Sequence, residues 1–204
     1  HNTVCLLTEV ASARVASPIH VALAELQGTP RGLPEYRTQV NFPNPWPGGL
    51  WTLRDIVEYD LSAAYGLITG VARYRQEIVQ NFYTMGRRAV ERGRAGGPFA
   101  FVIPRTQHDP HAAAKLENLL IDGAVELHRA NASFTAGGQT WPAGTDVILM
   151  SQPYRAYAKT VLEGQDYPVG GLPPGVAAER PYDVAGWTLP YQMGVDVITI
   201  DKPF

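Results

Sequence analysis

Apolar residues recur at helical spacing from Thr52 to about Arg92, which is the longest regular pattern in the chain. Thr52 and Asp55 have the spacing of a capping box, so we expect the helix to begin there. Gly66 and Gly70 leave open whether this segment is one bent helix or a helix pair. The second half is rich in arginine, and we interpret those side chains as a solvated face rather than a nucleic-acid site.

The C-terminal half alternates short apolar runs with helical patterns. Runs at 99–103, 124–128, 146–150 and 195–200 predict buried strands. A helix is predicted over 110–121, with Asp109 as N-cap and Pro110 in the first turn, and another within SQPYRAYAKTVLE. Gly137 and Gly138 predict a turn between two short antiparallel segments. Strands that alternate with helices favour an α/β fold with a parallel, flavodoxin-like sheet.

The N-terminal part is less regular. Residues 4–7 predict a short apolar strand that ends next to Glu9. Residues 25–50 and 164–182 are rich in proline and glycine, which disfavour both helix and sheet, and we expect loops there. Aromatic residues in the first of these loops (Tyr36, Phe42 and Trp46) predict that it packs against other parts of the protein.

Composition and charge exclude several functions. The formal net charge of −2 gives no field that favours nucleic acid, and no stretch is apolar enough to span a membrane. Cys5 is the single cysteine, so neither an internal disulfide nor a multi-cysteine zinc site is possible, and we expect it to be buried in the N-terminal strand. No partner among nucleic acids or membranes is therefore expected.

Candidate chemistry lies mainly at the ends of the predicted strands. In a parallel sheet, the carboxyl ends of the strands at 99–103 and 146–150 would bring together Arg105, Gln107, His108, Gln152 and Arg155 as a crevice for a small anion. Ser151 follows a predicted strand where a nucleophile would lie, with His108 as its base. It lacks flanking glycines, however, and a helix cap is the simpler interpretation. His108, Asp109 and His111 cluster, but Asp109 is explained as a cap, so no metal site is predicted.

Several longer phrases resemble one known family. The opening CLLTEVASAR resembles the strand that carries the catalytic glutamate in zinc carboxypeptidases of the carboxypeptidase A-like family. NFPNPWPGGLWTLRDIVEY, QHDP, SQPYRAYAK and RPYDVAGWTLPYQMGV resemble the downstream region of large bacterial members of that family. In those proteins a class I glutamine-amidotransferase-like domain is appended to the peptidase.

The resemblance implies a role for Glu9 as the general base that activates a zinc-bound water. The family's zinc ligands, an HxxE pair and a later histidine, are absent here, so we expect no cofactor in this chain and zinc only in the full-length parent. Ser151 stands near the place where the amidotransferase cysteine is expected. The resemblance thus implies a remnant peptidase strand in residues 1–24, a Pro-rich loop and helical segment in 25–96, and an amidotransferase-like domain in 97–204.

Three functions follow as hypotheses. The chain is first interpreted as a C-terminal accessory part of a metallocarboxypeptidase-like hydrolase, whose partner is the upstream peptidase domain. The alternatives are a small-ligand binding or assembly module, and a metal-independent serine esterase that uses Ser151. An unpaired strand at 4–7 would expose an apolar edge, so we also expect a homo-oligomer. The residues do not define a compartment, although the resemblance implies an exported parent.

Overall fold

A computed structural model of the chain describes residues 5–10, 16–26, 36–166 and 188–204. These residues belong to two compact units, a smaller one within Val4–Ile78 and a larger one that includes Val79–Phe204. Most of the predicted loop at 164–182 and part of the loop at 25–50 lie outside the described residues. Among the described residues, no helix combines the length and apolar character needed to cross a membrane.

The smaller unit is built on a two-stranded antiparallel sheet. Strand β1 (Ile19–Val21) pairs with β2 (Gly49–Trp51), and Ile19 lies opposite Trp51. A short 3₁₀ helix (Leu23–Glu25) follows β1. Gly48 makes the close approach of the two segments possible, because its φ is +85° and a Cβ there would lie 2.8 Å from the carbonyl oxygen of Val21.

The long helical pattern corresponds to two helices. Helix α1 (Leu53–Arg73) begins at the predicted capping box, in which the Thr52 backbone N–H donates to Asp55 and the Asp55 N–H donates to the Thr52 hydroxyl. Helix α2 (Arg75–Ala95) follows. Of the two alternatives that the sequence left open, the structure shows the helix pair, and the break lies at Tyr74 rather than at Gly66 or Gly70.

The larger unit contains a four-stranded sheet in which every neighbouring pair is antiparallel. The strands β3 (Ala100–Ile103), β4 (His128–Arg129), β7 (Asp146–Leu149) and β8 (Ile198–Ile200) lie in the order β4-β7-β3-β8. The α/β content is as predicted, but the parallel flavodoxin-like sheet is wrong. The unit β3–helix–β4 does have two parallel strands, yet β7 inserts between them in the opposite direction.

Both faces of this sheet are covered. Helix α3 (Pro110–Asp122), helix α4 (Arg155–Leu162) and the short helix α5 (Leu189–Met193) contribute to one apolar cluster, which contains Phe101, Ile103 and Ile148. The hairpin of β5 (Phe134–Ala136) and β6 (Gln139–Trp141) belongs to the cluster on the opposite face, with Ala100, Val102 and Val147. The alternation along β3 explains why its whole run is buried.

Two strands are shorter than the apolar runs that predicted them, because backbone N–H groups in these runs donate to carbonyl oxygens outside the sheet. At 124–128, the N–H groups of Ala124 and Val125 donate to carbonyls at the end of α3, at 2.8 and 2.9 Å, so only His128 and Arg129 remain for β4. At 195–200, Val195 donates to Pro190. Hydrogen bonds outside the ladder therefore shorten these strands.

The N-terminal segment differs from its prediction. Residues 5–10 form no regular structure, and Cys5 is exposed rather than buried. The predicted strand at 4–7 is therefore wrong over its described residues, 5–7. An apolar run this short needs a partner strand before it becomes part of a sheet.

Candidate functional site

A cavity of about 450 Å³ lies beside helix α3 in the larger unit. Its walls come from the loop after β3, the first turns of α3 and the facing ends of β4 and β7. We call it the α3 pocket. It is lined by Pro104, Arg105, Gln107, Pro110, Ala113, Ala114, Glu117, Arg129, Gly144 and Asp146.

The base of the α3 pocket carries a bidentate ion pair. Arg129 and Asp146 lie opposite each other in the β4–β7 ladder. The Arg129 Nε donates to Asp146 Oδ1 at 3.0 Å and its Nη2 donates to Oδ2 at 2.9 Å. The Asp146 side chain is only 7% exposed, whereas that of Arg129 is 66% exposed. A buried carboxylate needs such a partner, and Arg129 provides it with two hydrogen bonds.

Glu117 is the second carboxyl group of the pocket, and it projects from α3 toward the same ion pair. Burial raises the pKa of Glu117, and the neighbouring charge of Asp146 and a hydrogen bond between the two carboxyl groups raise it further. Arg129 opposes this shift of the pKa, with its Nη2 3.9 Å from Glu117 Oε2. Glu117 therefore takes up a proton more readily than an ordinary glutamate, while Arg129 is held by Asp146.

Arg105 provides a cation that no described residue neutralises. It follows β3, is exposed, and takes part in none of the ion pairs among the described residues. Gly144 faces it with a φ of +87°, and a Cβ at Gly144 would lie 3.3 Å from Arg105 Cδ. A side chain at residue 144 would thus crowd the guanidinium as well as strain the backbone.

Gln107 fixes the loop that carries Arg105. Its Nε2 donates to the carbonyl oxygens of Pro104 at 2.9 Å and Asp196 at 3.1 Å, and its Oε1 accepts from the Asp196 N–H at 2.9 Å. These bonds join the end of β3 to the segment before β8. Gln107 therefore fixes the wall of the pocket that carries Arg105.

The five residues of the predicted anion crevice do not come together, because the strands that precede them run in opposite directions. Arg105, Gln107 and His108 follow β3, whereas Gln152 and Arg155 follow β7. Because β3 and β7 are antiparallel, with Ile103 opposite Asp146 and Ala100 opposite Leu149, the two groups lie at opposite ends of the paired strands. Arg105 and Gln107 line the α3 pocket, while His108 is exposed outside its lining.

Gln152 and Arg155 bind backbone instead. Gln152 is 1% exposed; its Oε1 accepts from the Glu126 N–H at 2.8 Å, and its Nε2 donates to the carbonyl oxygens of Glu126 at 3.1 Å and Leu149 at 2.7 Å. Arg155 Nη2 donates to the Gly97 carbonyl at 3.0 Å. Their side chains hold loops at the other end of the strands.

The same geometry separates Ser151 from His108. Ser151 follows β7 and His108 follows β3, so the two are at opposite ends of the paired strands and do not form a nucleophile–base pair in this structure. Asp109 accepts from the N–H groups of His111 and Ala112 at 2.8 and 3.1 Å, which confirms it as the cap of α3. Ser151 is not the residue before α4, because that helix begins later, at Arg155.

Within the described residues, no group of three His, Cys, Asp or Glu side chains is placed to hold a metal ion. Glu9 belongs to the smaller unit, where it is exposed and contributes to the wall of a second cavity.

Three residues of the α3 pocket were not found from the sequence: Glu117, Arg129 and Asp146. Asp146 offered a signal, because an acidic residue that begins a strand buried on both faces requires a partner. Glu117 and Arg129 gave no such signal, because in the linear sequence both look like ordinary charged residues on a solvent-facing surface.

Comparison of the chain with models of known protein families, with curated proteins and with solved structures gave no match.

Proposed function

We propose that the larger unit is a binding module for a small carboxylate ligand, which the α3 pocket holds. The observation that carries this proposal is that the Arg105 guanidinium, which pairs with no acidic group among the described residues, lines the same cavity as Glu117, a carboxyl group that is easily protonated. The volume of about 450 Å³ lies within the range of small-molecule sites, roughly 300–1,000 Å³.

The chemistry of the pocket favours a carboxylate in two ways. Arg105 presents a planar fork of donors that matches a carboxylate, and it forms none of the ion pairs found among the described residues. Protonated Glu117 is neutral and does not oppose an anionic ligand, whereas ionised Glu117 repels an anion. Binding and protonation are therefore coupled, and affinity rises as pH falls through the raised pKa of Glu117.

Calorimetric titration with succinate tests this function, with uncharged succinamide as the comparison ligand. Arg105→Gln should weaken succinate binding by about tenfold or more, in line with the loss of a hydrogen bond to a charged group. Arg88→Gln, which removes an exposed arginine from the same unit, should leave binding unchanged. Glu117→Gln keeps a neutral donor, so it should bind succinate with a weaker dependence on pH.

Two results would contradict the proposal. One is the absence of saturable succinate binding by the wild-type protein. The other is equal affinity of the Arg105→Gln and Arg88→Gln proteins, which would mean that only the overall charge matters. Succinamide that binds as tightly as succinate would likewise exclude recognition of the carboxylate.

A second function, accessory part of a metallocarboxypeptidase-like hydrolase, is favoured by the position of Glu9. Its carboxylate is exposed at a cavity wall, where a bound molecule can reach it, and forms none of the ion pairs among the described residues. In this function Glu9 acts together with zinc ligands that the described residues do not supply.

Peptide and ester hydrolysis, measured with and without a chelator, tests the second function. The chain by itself should show no chelator-sensitive hydrolysis, and such activity together with stoichiometric zinc would contradict this expectation. Chelator-insensitive ester hydrolysis that is lost in Ser151→Ala would instead support the serine esterase alternative.

A further inference from the structure

The smaller unit contains a cavity of about 450 Å³ that is separate from the α3 pocket, and we call it the aromatic pocket. One wall is a face of the β1–β2 sheet. Ile19 and Val21 are two residues apart on β1 and share a face, and Trp51 lies directly opposite Ile19. All three line the cavity, so the register of this small sheet builds the wall.

Five aromatic side chains give the aromatic pocket its character: Tyr36, Phe42, Trp46, Trp51 and Tyr59. The centroids of the Trp46 and Trp51 rings are 5.4 Å apart, with 61° between the ring planes, and those of Trp51 and Tyr59 are 5.7 Å apart. Tyr36 and Phe42 meet edge to face at 5.3 Å. The Tyr36 hydroxyl donates to the Trp46 carbonyl at 2.7 Å, which joins the two ring groups.

Glu9 adds a negative charge to this aromatic wall. It is the sole charged residue among the described residues that line the cavity. The segment is held beside α1, because the Thr8 hydroxyl donates to Asp60 Oδ1 at 3.0 Å. None of the ion pairs among the described residues involves Glu9.

We propose that the aromatic pocket binds a small organic cation of the alkylammonium class. Aromatic faces attract cations, and the Glu9 carboxylate, which forms no ion pair among the described residues, adds attraction of the same sign. A hydrated metal ion is a poor occupant, because an apolar wall supplies few oxygen ligands. A neutral apolar molecule gains nothing from Glu9. Several rings and one carboxylate together therefore select a weakly hydrated cation.

Titration with tetramethylammonium chloride tests the site, with tert-butanol as a neutral probe of similar size. Binding is followed by the indole N–H resonances, since the sequence has four tryptophans and two of them, Trp46 and Trp51, line the pocket. Their resonances should shift with saturation. The resonance of Trp141, buried in the larger unit, should stay in place and serves as the internal reference.

Two conservative variants distinguish the contribution of the Glu9 charge to binding from that of an aromatic ring. Glu9→Gln should weaken tetramethylammonium binding by about tenfold. Glu77→Gln, the matched control, removes an exposed carboxylate that does not line the pocket, and it should have no effect. Tyr59→Leu keeps an apolar side chain at an exposed position and should weaken binding roughly threefold. Circular dichroism melting of each variant reports whether the fold is retained.

The proposal is overturned if tetramethylammonium produces no saturable shift of the Trp46 and Trp51 resonances. It is also overturned if tert-butanol produces the same shifts at the same concentrations, since the pocket would then be merely apolar. Equal weakening by Glu9→Gln and Glu77→Gln would show general electrostatic attraction rather than a site. The result does not depend on succinate binding, because the two pockets have no residue in common.

Discussion

Glu117 makes the stability of the fold depend on pH, because folding raises its pKa. Burial and the charge of Asp146 disfavour its ionised form in the folded state, and both effects vanish when the chain unfolds. A carboxyl group whose pKa is raised by folding stabilises the protein below its unfolded pKa. That contribution is lost as pH rises through the raised folded pKa.

We therefore expect Glu117→Gln to be more stable than the wild type at about pH 7, by at most roughly 1 kcal/mol, because solvent around this partly buried side chain screens the effect. Below about pH 4, where the wild-type side chain is protonated, the two proteins should be equally stable. Urea unfolding at both pH values measures this difference. Glu126→Gln, at an exposed position of the same unit, is the control and should show no such change with pH. A variant that is less stable than the wild type at neutral pH would contradict the argument.

Gln152 is a structural residue at the opposite end of the paired strands. Gln152→Leu removes the partners of the Glu126 N–H and of two carbonyl oxygens. We expect a loss of about 3 kcal/mol in unfolding free energy, since each buried polar group without a partner costs about 1–3 kcal/mol. Denaturant unfolding measures the loss, and Gln139→Leu on the exposed hairpin is the control. A loss below that of the control would show that water replaces the amide.

Single residues were predictable where their role is local. Thr52 and Asp109 cap helices that follow them directly, so a few consecutive residues are enough to predict each cap. Gln152 was interpreted as a ligand residue because its partner, Glu126, is 26 residues away. The ion pair of Arg129 with Asp146 depends on the register of β4 against β7, which no local pattern reveals.

At the scale of elements, the start of α3 allows a test of how a cap responds to acid. Hydrogen bonds from the N–H groups of Ala112 and His111 lower the pKa of Asp109. Its contribution to stability is therefore present above the unfolded pKa and lost as pH falls through the lowered folded pKa. Asp109→Asn accepts the same bonds without titrating, so we expect a smaller fall in melting temperature between about pH 6 and about pH 3.

Melting followed by circular dichroism measures this acid dependence. Asp122→Asn, near the other end of α3, is the control because it changes the same charge without capping the N-terminus. If Asp109→Asn and the wild type lose stability in parallel as pH falls, then Asp109 does not contribute to the acid transition.

In the larger unit, the existence and order of the elements were largely predictable but their pairing was not, whereas β1 and β2 of the smaller unit were not predicted. The helices and the hairpin at 137–138 follow from periodicity and turn residues within short windows. The direction of β7 does not, because an apolar run has the same pattern in parallel and antiparallel sheets. Since β7 enters between β3 and β4 in the opposite direction, the predicted crevice was divided into two groups of residues.

At the scale of the whole molecule, the expectation of a homo-oligomer now depends on helix α1 rather than on an N-terminal strand. The strand on which it was founded is absent over residues 5–7. Helix α1 instead exposes a stripe of apolar residues at helical spacing: Leu53, Val57, Leu61, Tyr65 and Ile68. Exposed stripes of this kind favour association between copies, because association removes apolar surface from water.

We accordingly expect the molar mass from light scattering to rise with protein concentration in the micromolar range. The double variant Val57→Glu, Leu61→Glu places charges on the stripe and should give the mass of one chain. The double variant Glu58→Gln, Ser62→Ala, on neighbouring exposed positions, should still associate. A wild-type protein that is monomeric at every concentration would contradict this prediction.

The position of β8 also has a consequence for the order in which the chain is made. Strand β3 bonds β8 through Val102 opposite Ile198 and Ala100 opposite Ile200, across nearly half of the sequence. During synthesis, one edge of β3 has no partner strand until β8 has left the ribosome. In that interval the nascent chain offers an open apolar edge, the feature that chaperones protect and that misfolding exploits. The sheet is therefore completed only after β8 has been synthesised.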